Sequence, residues 1–241
     1  MLIYALVLVV GFIAGTVSGI VGTGATIILL PVLVYVFGPR EAVPIMAVVA
    51  LMSNFAKITS WWKVIDWRVT AAYAAGGIPA AALGARTLLI LPPRIVDITL
   101  GIFFLAMIPG RQWLTSRNVK LGYGGLALAG AAIGFLTGIV VSTGPLSVPT
   151  FAAAGLVKGA FIATEAAGSL ALYISKAITF RTFGALPLDI VTKGLIAGSS
   201  VMAGTYLARL VVERLSVHTF QRLLDVVMLV SGLSLLWAAL R

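Results

Sequence analysis

The sequence predicts an all-α polytopic membrane protein made of two pseudo-symmetric halves. Three observations predict it. Of 241 residues, 61% are hydrophobic and only 10% charged, with a mean hydropathy of +1.12. A soluble domain has no interior large enough to hide that much apolar surface. Apolar stretches recur along the whole chain, at about 20 residues per crossing enough for about eight transmembrane helices. A glycine ladder, Gly11, Gly15 and Gly19, returns as Gly130, Gly134 and Gly138 at an offset of 119 (130 − 11 = 119).

The stretches run roughly over 2–37, 42–62, 69–90, 95–110, 122–156, 160–180, 189–211 and 219–240. The first has no basic start, and its apolar pattern continues past any cleavage point, so it reads as a membrane helix rather than a signal peptide. The first and fifth are too long for one span. About 36 residues of helix would measure about 54 Å, against a hydrocarbon core near 30 Å. Each carries a Thr-Gly pair after its ladder, Thr23-Gly24 and Thr143-Gly144, and then a proline, Pro31 and Pro149. Each is therefore expected to be broken or re-entrant. Four-residue glycine spacing lines one helix face and lets a neighbouring backbone come close.

The repeat extends past the glycines. Lys57-Ile58-Thr59 is answered by Lys176-Ala177-Ile178-Thr179, and Gly84 in the third helix by Gly204 in the seventh. The turn at Lys63–Asp66 resembles Gly184–Asp189, which carries an insertion at Pro187. The halves are read as residues 1–117 and 122–241, integrated in one transmembrane domain and joined near Arg117–Gly122. If each broken segment is a single crossing, the halves are parallel. If each is a hairpin, they are inverted, the arrangement that commonly accompanies broken helices at a shared site. Asp66 and Asp189 are expected to be N-caps, and Asp97 and Asp225 first-turn acids. Trp61-Trp62 beside Lys63 reads as an interfacial belt.

Several functions are excluded. With no cysteine there is no disulfide or thiolate site. The net charge of +10 is spread over loops that meet anionic headgroups, without the dense basic run that nucleic acid requires. The single histidine, His218, reads as a loop residue before the last helix, and no zinc cluster, Ser-His-Asp set or haem ligand pair can be assembled. No enzyme, metal or cofactor is expected. The Gly-Thr-Gly at 22–24 lacks the Lys-Ser/Thr ending of a phosphate loop, so transport would run on a gradient.

The breaks are the candidate site. In Val21-Gly22-Thr23-Gly24 and Val141-Ser142-Thr143-Gly144, small residues free the backbone from helical geometry. Unwound backbone in a bilayer must be buried in protein or line a watery cavity. The N–H groups that start the next helix favour an anion. Lys57 and Lys176 keep the 119 offset. Each either snorkels to the headgroups or supplies positive potential inside the membrane. Asn54 and Tyr173 stand one turn before them on the same face. The expected anion site is Gly22, Thr23, Gly24, Asn54, Lys57, Ser142, Thr143, Gly144, Tyr173 and Lys176. Glu165 shares a face with Ser169, Leu172 and Lys176. It reads either as a first-turn acid or as the carrier of a coupling proton.

With Gly15–Gly24 and Pro31, their copy Gly134–Pro149, and the turn ending in Ile65-Asp66-Trp67, the whole chain resembles the TauE/SafE sulfite exporter family of bacterial inner-membrane transporters. The resemblance implies movement of sulfite, organosulfonates or related sulfur oxyanions. Its glycine run differs, since Thr23 and Ala25 interrupt it. The expected partners are a small anionic substrate and the lipid bilayer, with a homo-oligomer as a further option and no nucleic acid. The rival readings are a passive anion channel and a membrane scaffold that packs through its glycine faces.

Overall fold

A computed structural model describes residues 2–21, 24–92, 121–139, 143–156 and 158–208, with isolated positions between 95 and 109 and at 229 and 233. All regular structure among them is helical. The helices are α1 (Leu2–Val21), α2 (Ala25–Phe37), α3 (Pro39–Trp61), α4 (Trp67–Ile90), α5 (Tyr123–Ile139), α6 (Gly144–Ala153), α7 (Lys158–Thr182) and α8 (Leu188–Ala208). A 3-10 turn at Trp62–Val64 follows α3. The fourth and eighth apolar stretches lie largely outside the described residues, as do Asp97, His218 and Asp225.

Both long stretches divide where expected. The first gives α1 and α2 and the fifth gives α5 and α6. Gly24 stands before α2 with φ +117, a conformation that resists a side chain. Gly38, with φ +76, turns the chain from α2 into α3, where a proline opens the helix. Arg40–Val64 and Trp67–Ile90 are long and apolar enough to cross a membrane. Large apolar side chains face outward all round, among them Val9, Leu83, Ile90, Leu128 and Ile178. In water that surface would be a liability; in lipid it is the solvent-facing side.

The ends of the helices fix their directions. At one end of the bundle the rings of Tyr4 (α1) and Phe37 (α2) lie 6.2 Å apart. There Lys193 of α8 also bridges Glu41 of α3 at 2.7 Å and Asp189 at 3.6 Å. At the other end the Leu121 amide, just before α5, donates to the Ala153 carbonyl at the end of α6, at 3.0 Å. So α1–α2 is a hairpin entering from one end, and α5–α6 a hairpin entering from the opposite end. The main helix contacts are α1 with α8, α4 with α5, α3 with α8, α4 with α7, and α3 with α7.

The glycine ladders make the closest of these contacts. A Cβ at Gly15 would overlap the Val201 carbonyl of α8, and one at Gly134 the Gly77 carbonyl of α4. Gly84 and Gly204 are not equivalent, against expectation. Gly84 sits on the Phe135 carbonyl and Gly204 on that of Phe12. At the 119 offset Phe12 corresponds to Ala131, about one turn short of Phe135. Helix α7 is two residues longer than its counterpart α3 (25 against 23 residues), so α8 starts later in its half than α4 does.

The caps also divide. Asp66 accepts from the amides of Arg68 at 3.0 Å and Val69 at 3.1 Å, as an N-cap does. Asp189 does not cap. Helix α8 starts one residue earlier, at Leu188, which places Asp189 in the first turn beside Lys193. Helix α7 ends at Thr182, and the chain turns at Gly184 (φ +75), where the Ala185 amide reaches back to the Phe180 carbonyl at 2.8 Å.

Candidate functional site

The two hairpin tips meet in the middle of the bundle and leave a cavity of about 30 Å³ between them. The first tip contributes Ser18, Gly24, Ala25 and Thr26, and the second Thr137, Thr143 and Gly144. Helix α3 adds Ser53, Asn54 and Lys57, and helix α7 adds Glu165, Ser169 and Tyr173. The N-termini of α2 and α6 both begin at this cavity. First-turn amides of a helix have no partner within it, so both ends present partial positive charge.

The polar groups here are buried rather than snorkelling. Lys57 is 5% exposed and Glu165 3%. Glu165 interacts electrostatically with Lys57. Its Oε1 accepts from Ser147 Oγ and from Ser169 Oγ, both at 2.8 Å. The hydroxyls of Thr137 and Thr143 bond each other, tying the end of α5 to the start of α6. Ser18 Oγ, Ser53 Oγ and Glu165 Oε2 are buried without a hydrogen-bond partner. Buried orphans of this kind are costly unless something fills the space between them.

A model of the sulfite exporter TauE/SafE family matches residues 7–235. The chain belongs to that family. Membership makes it a membrane transporter of the sulfite-exporter kind, in a family of transporters rather than enzymes. No curated protein and no solved structure matches the chain.

In this TauE/SafE protein the expected site residues fall into three groups. Gly24, Asn54, Lys57, Thr143, Gly144, Tyr173 and Glu165 line the cavity together. Gly22, Thr23 and Ser142 lie outside the described residues. Lys176 is fully buried but does not line the cavity. Its Nζ donates to the Thr137 carbonyl at 2.7 Å and lies 5.3 Å from the centre of the Phe180 ring. Thr137 is in the last turn of α5, where carbonyls have no intrahelical partner. Lys176 therefore holds the broken end of α5, while its counterpart Lys57 faces the cavity. Glu165 lies well inside α7, about two turns from Lys158, so it is not a first-turn acid.

Ser18, Thr26, Ser53 and Thr137 also line the site and were not among the expected site residues. One signal could have found two of them: Ser18 and Thr137 are hydroxyl residues 119 apart.

Replacing Lys176 by methionine should leave the Thr137 carbonyl short of a donor and cost about 1–3 kcal/mol of stability. Thermal unfolding in detergent would show the loss. An unchanged transition would rule out the capping role.

Proposed function

We propose that this TauE/SafE protein is a gradient-driven secondary transporter of a small sulfur-containing anion such as sulfite or an organosulfonate. It would reside as a multi-pass protein in the bacterial inner membrane. The anion binds between the hairpin tips. Lys57 supplies charge, Asn54, Tyr173 and Thr143 supply neutral donors, and the first-turn amides at Gly24 and Gly144 supply helix-end dipoles. Thr23 and Ser142 would complete the two tips, and Lys176 acts from behind by holding the second one.

The observation that carries this reading is the pairing of the cavity lining. Ser18 and Thr137, Gly24 and Thr143, Ala25 and Gly144, and Asn54 and Tyr173 are all 119 apart, and all face one cavity. That supports two inverted repeats, 1–117 and 122–241, related by a pseudo-twofold axis through the site and giving about eight crossings. The helix contacts support it too, since exchanging the halves converts the α1–α8 contact into the α5–α4 contact and α3–α8 into α7–α4. Alternating access would rock the halves about that axis. A wider cavity of about 390 Å³, lined by Arg40, Leu88, Phe180 and Ile190, opens at the end where α2 finishes. Phe180 stands between that cavity and Lys176. It therefore marks one access route.

Purified protein in vesicles should show saturable sulfite counterflow: labelled sulfite accumulates against unlabelled sulfite trapped inside. Flux without counterflow would indicate a channel. Neither flux nor a sulfite-dependent thermal shift would indicate a scaffold.

A further inference from the structure

The carboxyl of Glu165 has two unlike oxygens. Oε1 already accepts two hydrogen bonds, from Ser147 and Ser169. Oε2 is buried with no hydrogen-bond partner, on a residue that lines the cavity. A proton on this carboxyl therefore belongs on Oε2, because Oε1 is occupied as an acceptor. The protonated oxygen is a donor at the cavity, whereas the ionised oxygen is a bare negative acceptor there.

The surrounding groups make that difference matter. From α3 the charged group facing Glu165 is Lys57. From α4 the titratable group is the neutral phenol of Tyr73, whose buried hydroxyl has no hydrogen-bond partner. Helix α7 itself carries Tyr173 and, further along, Lys176. Helix α6 presents Ser147 and helix α5 Thr137, neither of which titrates. With Lys57 as ammonium and Glu165 as carboxylate, the described side chains that line the cavity sum to zero charge. An anion entering then meets Oε2 without a hydrogen between them. Placing one proton on Oε2 turns the same cavity net positive and adds a donor.

Resting on the anion-transport reading above, we propose that Glu165 takes up a proton together with the anion, so that proton and anion cross the membrane in the same direction. The proton comes from solution onto Oε2 as the anion enters, and leaves from Oε2 when the anion is released. The residue 119 positions earlier is Met46, which lines the same cavity. The pseudo-symmetric partner position thus has no carboxyl, and the linkage is to a single proton.

The test compares sulfite binding by purified wild type and Glu165→Gln over a range of pH. Glutamine keeps an oxygen for Ser147 and Ser169 and places a permanent donor at the other atom. Sulfite's own titration affects both proteins equally, so it cancels in the ratio of their dissociation constants. On the alkaline side wild-type affinity should fall relative to the variant by about tenfold per pH unit, the slope for one linked proton. A ratio independent of pH overturns the proposal. A second measurement needs only the wild type. In vesicles at equal sulfite, alkaline pH and zero membrane potential, an imposed pH gradient should drive net sulfite from the acidic to the alkaline side. No net movement overturns the proposal even if the variant does not fold. If wild type binds no sulfite at all, the anion reading falls and this one with it. If it binds sulfite but the two profiles are parallel, only the proton linkage falls.

Discussion

Replacing Lys57 by methionine should weaken sulfite binding by about 10- to 100-fold, the effect of losing about 1.5–3 kcal/mol from a charge-assisted contact. Lys57 is the cationic side chain that lines the cavity between the hairpin tips. An anion placed there loses its hydration and must recover it from Lys57, the hydroxyls and the helix ends. Methionine keeps most of the length and apolar stem and removes only the charge. Lys57 faces the buried Glu165 carboxyl, and losing one member of a buried charge pair destabilises, so the double variant Lys57→Met/Glu165→Gln, which removes both charges, is the one that should keep the unfolding temperature of the empty protein. Lost binding with retained stability in that double variant is the signature of a functional lysine. Calorimetric titration with sulfite and a thermal melt separate the two, and an unchanged dissociation constant would remove Lys57 from the site. The contrast of the double variant with Lys176→Met is part of the prediction, since the latter change should act first on stability.

The second large effect concerns the glycine faces. Gly134→Leu should prevent α5 from seating on α4, because the added Cβ alone would overlap the Gly77 carbonyl. Backbone cannot rotate out of the way as a side chain can. Overpacking of this kind costs about 1–3 kcal/mol or more. Gly15→Leu should do the same to α1 on α8, where the obstacle is the Val201 carbonyl. Gly124→Ala is the control. Nothing lies within 4 Å of a Cβ there, and alanine gains about 1 kcal/mol in helix propensity over glycine. The yield of monodisperse protein and the melting temperature should fall for the first two and hold or rise for the third. Equal behaviour of all three would mean that the ladders do not set helix separation.

The glycine ladders were legible as packing faces because a spacing of four on a helix leaves only one geometric reading. The breaks were legible for a similar reason, since no helix of that length fits a bilayer as one span. The twin lysines were read as a matched pair, and there the linear chain misled. The same offset, the same helix position and a polar neighbour one turn back made Lys57 and Lys176 look alike. In the folded protein one faces the cavity and the other ties down a helix end. Sequence spacing places a residue on a face of its own helix, but it does not say which part of the neighbouring hairpin arrives opposite.

Asp66 and Asp189 differ in the same way. Both precede or open a helix, yet only Asp66 caps one. Helix α8 begins at Leu188, one residue before Asp189, and one residue of difference is enough to move an acid from the cap into the first turn. Gly84 and Gly204 likewise meet different turns of their neighbouring helices.

By itself the sequence determined that this is a helical membrane protein, where its long apolar segments break, and which family it resembles. Those follow from composition, length and spacing, which are properties of single segments in a solvent of known thickness. Tertiary structure decided that the hairpins enter from opposite ends, that their tips face each other, and that Lys57, Asn54, Tyr173 and Glu165 share one cavity. Those facts depend on how helices far apart in sequence approach one another. The packing of glycine against backbone carbonyls fixes that approach, and no local pattern encodes it.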